Sequence, residues 1–558
     1  MALAYLLKQI PKADLRLRLE PLAFIVNHNA RTKSRKEAQF VARYLEKLDI
    51  QPVVLNMDWG KIPDPASLPD FEMQARKARY QLIATAAIRR NIHHLFLGHH
   101  QDDQVETILM RLIRNPNTSF LGLQGMSAHS AIPCCEAIRG AHEMERYERW
   151  PDWLRQFDDT MPEEVEDNDA INLGKQVTVS RPGGLQIHRP LLEFPKKRLV
   201  QTCQHNGIIY QNDKTNDDPT LTLRNAIRRL RTNHHGSGYD KRLPRALQAQ
   251  SILQIGHRAR NSTSSLVERG GEILRKIRVQ SFDLRSGLMT IAVSKTFVAA
   301  CEDDVEAGAN ALARLTSVVS YQSRDDVPTL VPQARLMEFL DAMRSSDATF
   351  LTIQKVLLEK LQVDRSGIDH DRVAWRLSRP PMRSSEAKLA HQNFPLNSPW
   401  TKTSLSSNST CHPNVDSSSG VWSDWVLWDH RYWMRVRAQD PSSLSEICVR
   451  PYQESDAPYV VETLKKDSVE FHDTLAKAAP GKLRYTLPVL TYQGRISVFP
   501  TLNISIPKSR SQQSGPTVAQ HPIREWEVSY KAMDQPFIQE QAKTIEWRNA
   551  LVKRRRGA

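Results

Sequence analysis

Short apolar runs separated by stretches of helical spacing set the rhythm of the first hundred residues. Leu22 to Val26 reads as a compact strand ending in Asn27-His28-Asn29, Pro52 to Asn56 as a second, and His94 to Gly98 as a third. Between them, Ser34 to about Leu48 carries a helical repeat, with Ser34 as cap and Glu37 at the third position as in a capping box. A long helix over roughly Phe71 to Arg90 follows a Pro-rich loop. After Gly98, Val105, Ile108, Leu109 and Leu112 give the apolar stripe of a helix containing Asp102 to Arg114. The chain opens on a bare helix, with Leu3, Leu6, Leu7 and Ile10 on one face and no cap. Alternation of this kind predicts an α/β fold: a parallel, doubly wound sheet with right-handed crossovers. Such a sheet ordinarily begins with a strand. The opening helix is therefore either peripheral or preceded by a strand and loop absent from this sequence, and we expect the second.

The later pattern predicts a turn at Asn115 to Thr118, a charged and aromatic surface insertion over 137–172, and helices over Lys196 to Asn206 and from about Arg224 to Arg231. Residues 240–370 read as mainly helical, with one β-like run near Leu288 to Val293. We expect four regions: 1–232, an α/β domain; 233–380, mainly helical; 381–420, a Ser-rich linker expected to be disordered; and 421–558, a small α+β region with β-like runs at Leu487 to Thr491 and Ile496 to Phe499.

Composition adds two constraints. The formal charge of +15 and pI near 9.5 favour a polyanionic partner. No long uncharged apolar stretch predicts a membrane helix. None of the six cysteines lies in a CxxC pair or at zinc-finger distance from histidine, so reduced thiols are expected. The Lys553-Arg-Arg-Arg556 tail could touch phosphate or simply be a solvated terminus.

The chemistry concentrates in GHHQDDQVET, Gly98 to Thr107, where a strand hands over to a helix, and ligands of α/β sheets sit at such carboxyl ends. Asp102, Asp103 and Glu106 fall on one helical face and could hold Mg2+ beside phosphates or accept an amine. A plain helix cap explains the two aspartates as well. Glu72, Arg76, Arg79 and Tyr80 line one face of the preceding helix, suited to an anion through the guanidiniums or merely to ion pairing between Glu72 and Arg76.

Taken together, FIVNHNARTKSRKEAQFVARYLEKL, EMQARKARYQLI, LGHHQDDQVETILMRLIRN, LGLQGM, HRPLL and NDKTNDDPTLTLRNAIR resemble, in order and spacing, the tRNA(Ile)-lysidine synthase family of PP-loop (N-type) ATP pyrophosphatases. The resemblance is strong to about residue 232 and patchy afterwards, where WDHRYWMRVR, LPVL and VFP look like the end of the family's C-terminal region. It implies an ATP-dependent ligase. ATP activates the 2-oxo group of the first anticodon cytidine of CAU-bearing tRNA(Ile), and the ε-amine of free L-lysine displaces AMP to give lysidine.

By similarity, His28, Arg76, Arg79, His99 and His100 would bind ATP, with Asp102, Asp103 and His100 catalytic and Asp103 and Glu106 on Mg2+. Arg189, Asp213, Asn216, Arg224, Asn225 and Arg228 would serve lysine or tRNA, the last through a region 233–380 that also binds tRNA. The family also opens with a strand and an SGGxDS loop that cradles pyrophosphate, and no SGGxDS occurs in these residues. Met1 falls where the family's first helix would begin. We therefore expect this exact chain to be unable to form the adenylate, and its sheet to be impaired. A tRNA thiolase of the same superfamily and a non-catalytic tRNA-binding protein are the alternatives. A homodimer is possible, no membrane partner is expected, and the location is expected to be mitochondrial or cytoplasmic.

Overall fold

The computed structural model describes residues 1–13, 19–29, 34–60, 62, 64–114, 120–143, 177–180, 182–210, 222–232, 244–323, 326–345, 347, 349–361, 372–395, 420–507, 522–533, 537 and 546–548. Two compact units divide the chain: Met1–Cys135 with Gly140–His142 and Gly183–Leu266, and Glu136–Arg139 with Glu143–Pro182 and Val267–Ala558.

In the first unit the expected alternation is present. It runs α1 (Ala2–Ala13), β1 (Leu22–Asn27), α2 (Ser34–Lys47), β2 (Gln51–Asn56), α3 (Phe71–Ile88), β3 (His94–Phe96), α4 (Gln101–Arg114) and β4 (His129–Ala131). After β5 (Thr178–Val179), which belongs to the second unit, come β6 (Gln186–His188), α5 (Lys196–His205), α6 (Leu223–Thr232) and α7 (Ala249–Leu274). Apolar side chains of three helices meet in one core: Val105, Ile108 and Leu109 of α4, Ile227 of α6 and Ile252 of α7. Full burial of each such side chain contributes about 1.5–3 kcal/mol.

The expectation of one doubly wound parallel sheet needs correction. β1 and β2 form a parallel pair in register from Leu22↔Gln51 to Asn27↔Asn56, while β3 pairs in parallel with β6, and β6 is antiparallel to β4. These are two sheets. Among the described residues β1 bonds only to β2 and β3 only to β6, so each leaves one edge of backbone groups without a strand. The burial of β1 shows the consequence: its sequence LAFIVN is that of an interior strand, yet Asn27 alone is buried and the other five positions are half-exposed.

Gly125 fixes the LGLQGM turn. Its φ of +71° is left-handed, and a Cβ there would lie 2.7 Å from Gln104 Oε1. The turn offers the Met126 backbone to the buried Gln104 amide, which donates to Met126 O at 2.7 Å and accepts from Met126 N at 2.6 Å.

The second unit is richer in strands than expected. Residues 267–380, anticipated as mainly helical, contain β7 (Ile277–Asp283), β8 (Leu288–Ser294), β9 (Phe350–Ile353), β10 (Val356–Lys360) and β11 (Arg372–Ser378) as well as helices. With Glu546–Arg548 they form a sheet in the order Glu546–Arg548, β7, β8, β11, β10, β9. The division between units also falls at Leu266, inside α7, rather than at residue 232. The anticipated linker is built at its start, with a helix over Ser384–Leu389 and a short strand at Gln392–Asn393, and 396–419 lie outside the described residues. The β-like runs near the end are strands, Pro488–Tyr492 and Arg495–Phe499. No described helix is long and apolar enough to cross a membrane.

Candidate functional site

The carboxyl ends of β1, β2, β3 and β6 carry Asn27 to Asn29, Asn56 to Trp59, Gly98 to His100 and Arg189. Asn27 ties the first two together, donating to Asn56 Oδ1 at 2.9 Å, and the His28 carbonyl accepts the Trp59 indole N–H at 2.7 Å. Trp59 in turn packs on Phe71, the first residue of α3. This brings the end of β1 beside the helix that carries Arg76 and Arg79.

α4 and α6 face each other with opposite charges. Glu106, 1% exposed, accepts two hydrogen bonds from Arg228 at 3.0 and 2.9 Å, and Arg224 Nε lies 3.5 Å away. Asp102 accepts the backbone N–H of Lys196 at 2.8 Å, at the start of α5, and Arg231 at 3.1 Å. Burial works to raise the Asp102 carboxyl pKa, but the Lys196 amide, Arg231 and His100 outweigh it and hold the group below its ordinary value. Asp103 accepts the His100 backbone N–H at 3.0 Å and has the His100 ring 3.4 Å away. It is thus the helix cap that the sequence allowed.

The metal assignment changes accordingly. Glu106 is already the counter-ion of two guanidiniums, and a divalent cation at its oxygens would sit against two fixed positive charges. Asp102 is likewise engaged as counter-ion to Arg231 and as an anchor for α5. Among the described residues no group of three or more His, Cys, Asp or Glu side chains is arranged to hold a metal.

On the other side of His99 the balance reverses. Arg76 and Arg79 of α3 and Arg189 after β6 have no carboxylate within ion-pair distance among the described residues. Both α3 guanidiniums lie over the ring of Tyr80, at 5.1 and 5.5 Å from its centroid. Arg189 donates to Ser127 O at 2.8 Å and Ser130 Oγ at 3.0 Å. Burial lowers the Arg79 pKa; Tyr80, and to a smaller extent Glu72, work against the fall, while Arg76 and Arg224 add repulsion. Burial also lowers that of Arg189, with Arg76 adding repulsion against Tyr80. His99 sits among these cations. Burial is the main cause; Asp103, the largest of the charges acting on the ring, opposes it, and repulsion from Arg189, Arg224 and Arg79 adds to it, bringing the pKa down to about 4, so His99 is neutral at physiological pH. Its Nδ1 and the Nε of Arg189 are buried without a hydrogen-bond partner.

The structure therefore brings Arg79, His99, His100, Asp102, Asp103, Glu106, Arg189, Arg224 and Arg228 into one constellation. His28 stands at the neighbouring strand end, and Asn225 is buried on α6, its backbone N–H donating to Thr222 Oγ1. Asp213 and Asn216 lie outside the described residues. Reading the sequence missed Arg231 as the partner of Asp102 and Tyr80 as the ring over which both α3 guanidiniums lie. The first had a signal: Arg224, Arg228 and Arg231 repeat at four and three residues, the spacing that also puts acidic groups on one face of α4.

The acidic edge after β3 and these guanidiniums lie in an α/β domain, and a family model described as a PP-loop domain matches residues 1–156 and 170–234. Among curated proteins, those to which this chain is similar include tRNA(Ile)-lysidine synthases. A probable tRNA(Ile)-lysidine synthase of Schizosaccharomyces pombe is 27% identical over 475 residues, covering 84% of this chain and 81% of that protein. The tRNA(Ile)-lysidine synthase of a Bradyrhizobium species is 28% identical over 245 residues, 44% of this chain and 50% of its own length. That of Wolbachia pipientis is 35% identical over 133 residues, 23% of this chain and 29% of its own. A solved structure of the U34-tRNA thiolase NcsA from Methanococcus maripaludis matches 46% of this chain and 68% of its own at 11% identity, with a TM-score of 0.28.

Proposed function

We propose that the chain's site serves ATP-dependent formation of lysidine on CAU-bearing tRNA(Ile). The observation that carries this reading is the division of charge around His99. Arg76, Arg79 and Arg189 form an uncompensated cationic side, while Asp103 on the opposite side is the one carboxylate of α4 that no guanidinium holds by a hydrogen bond or ion pair among the described residues. An anionic nucleotide and a cationic amine need such opposite surroundings a few ångströms apart.

In this reading the 2-oxygen of the cytidine attacks the α-phosphorus of ATP and pyrophosphate leaves. The lysine ε-amine then attacks C2, and AMP departs with the oxygen. Arg76 and Arg79 orient the phosphates, and neutral His99 offers an imidazole without adding to the local positive charge. Asp103 would meet Mg2+, whose remaining positions the phosphates and water supply, or receive the lysine ammonium. Bound there, Mg2+ would neutralise developing charge on the phosphates. Arg228, Arg224 and Arg231 brace α4 rather than bind lysine.

We also propose that adenylation needs a phosphate loop of the SGGxDS kind, which the 558 residues do not contain. The open edges of β1 and β3 support this requirement, because a strand between them would carry such a loop to the same carboxyl edge. The test uses labelled lysine, ATP and CAU-bearing tRNA(Ile) with two polypeptides: this chain, and the same chain preceded by a strand and an SGGxDS loop. Label is expected at the first anticodon position with the second polypeptide only. Transfer by the first at the same rate overturns the loop requirement. Transfer by neither, with tRNA still bound, overturns the enzymatic reading in favour of a non-catalytic tRNA-binding protein, and sulfur incorporation would indicate a thiolase.

A further inference from the structure

Guanidiniums hold phosphates and a carboxylate holds an amine, but neither is built for the flat, uncharged base of a nucleotide. An aromatic face is, and one stands at the same carboxyl edge. Trp59 follows β2 and remains half-exposed, although a tryptophan in a folded chain usually buries most of its surface.

The ring is held from two sides. Its indole N–H donates to the His28 carbonyl at 2.7 Å, and the ring of Phe71, the first residue of α3, lies 5.5 Å away between centroids at 32°. The His28 carbonyl is fixed in turn by the asparagines on either side of it. Asn27, 2% exposed, donates to Asn29 Oδ1 at 2.7 Å and to Asn56 Oδ1 at 2.9 Å, and accepts the Asn29 backbone N–H at 3.1 Å. Asn29 donates to Met57 O at 2.8 Å and adopts a left-handed φ of +51°, which asparagine tolerates. These bonds stitch the end of β1 to itself and to the end of β2, so Trp59 is ordered before any ligand arrives.

We infer that Trp59 is the stacking platform for the adenine base of ATP, which lies on the part of the indole that Phe71 leaves open. The inference deepens the ATP-dependent reading and rests on it. With its one donor engaged by His28, the indole offers a ligand only its π-face, and stacking on a base requires nothing more. A ring that served only to anchor α3 would gain by being buried, since its polar atom is already satisfied.

Position selects the nucleotide over the tRNA. Arg76 and Arg79 follow Phe71 on the same helix, about 8 and 12 Å farther along its axis at 1.5 Å per residue. A ribose and a chain of phosphates bridge such a span, placing the base at the start of α3 and the phosphates at its guanidiniums. The anticodon cytidine has to approach the α-phosphorus, whereas the adenine is the end of ATP farthest from the terminal phosphates.

The test titrates the full chain with ATP and, separately, with inorganic tripolyphosphate, which carries the phosphates without the nucleoside. Indole fluorescence and affinity for CAU-bearing tRNA(Ile) are followed on the same samples. The parent should bind ATP more tightly than tripolyphosphate, and ATP should quench the fluorescence more. Trp59→Leu should weaken ATP about tenfold, the size of one lost base–aromatic stack, and leave tripolyphosphate unchanged. Trp59→Phe keeps a smaller face without the bond to His28 and should weaken ATP only about threefold, while the difference in quenching between the two ligands disappears. tRNA affinity should stay unchanged in both variants. If Trp59→Leu does not fold, the Phe variant and the quenching decide the matter.

No ATP binding by the parent, equal affinity of the parent for ATP and tripolyphosphate, a Trp59→Leu loss of the same size for both, or quenching that survives in Trp59→Phe would each overturn the inference. So would a loss confined to tRNA, which would put an RNA base on the ring instead. Should lysine transfer fail in every polypeptide while the expected pattern holds, the lysidine reading falls and the platform stands.

Discussion

Buried arginines occur in both units, and their surroundings differ in kind. In the second unit Arg379 and Arg431 are 1% and 0% exposed. Asp429 lies between them, 2.9 Å from Arg379 Nε and 2.8 Å from Arg431 Nε. Arg431 also donates to Ser286 O and Thr486 O, and Arg379 stacks on Tyr321 with its guanidinium carbon 3.8 Å from the ring centroid. Every donor has somewhere to go, and the cluster joins chain segments from Ser286 to Thr486. In the first unit Arg76, Arg79 and Arg189 are held by an aromatic ring and neutral oxygens, with buried atoms left unsatisfied nearby. Charge compensated from within is architecture. Charge ordered but uncompensated is there for something that arrives.

The sharpest way to break that contrast is to remove the shared carboxylate. Asp429→Asn keeps the shape and suits the backbone, whose φ of +49° asparagine tolerates. It leaves Arg431 without its carboxylate and Arg379 with only Glu386, 3.4 Å away, and we expect a loss of about 3–5 kcal/mol in denaturant unfolding. A loss below about 1 kcal/mol, within the range of an ordinary surface change, would mean the cluster is not structural.

A second handle is Lys531, whose ammonium is buried beside this cluster and donates to Ser317 O and Ser320 O. Burial, with Arg431 adding repulsion against Asp429, lowers its pKa to about 7. Unfolded, the same group titrates near 10.4. Between these values the unfolded chain holds a proton that the folded chain has given up, so stability rises as pH climbs from about 7 to about 10. Below about 7 both states are protonated and this contribution levels off. Lys531→Met should flatten the rise in unfolding midpoint over that window. A rise of unchanged slope would assign it to other groups.

Much of this was legible in the sequence, and what was not has a common cause. The helices and strands of residues 22–114 follow from periodicity within each segment, and the edge at Gly98 to Thr107 from polar groups placed after an apolar run. What tied the site together was remote. Glu106 finds Arg228 and Asp102 finds Arg231, each more than a hundred positions on. Local spacing can say that a carboxylate lies on a helical face, but not which cation crosses to it, and so Glu106 read as a metal ligand. The second unit was harder because β9 and β10 are short and joined by a tight turn. The continuous sheet was expected from alternation alone, which counts strands without showing whether each has two neighbours.

The most direct test sets one arginine from each unit against the other, with stability and pyrophosphate affinity read on the same preparations of the full chain. Arg79→Gln relieves repulsion from Arg76 and Arg224 and should shift unfolding free energy by no more than about 0.5 kcal/mol, or raise it, while pyrophosphate affinity falls about tenfold. Arg431→Gln should destabilise by several kcal/mol, with affinity kept in whatever fraction remains folded. An Arg79→Gln protein that unfolds readily yet binds pyrophosphate as the parent does would contradict the account.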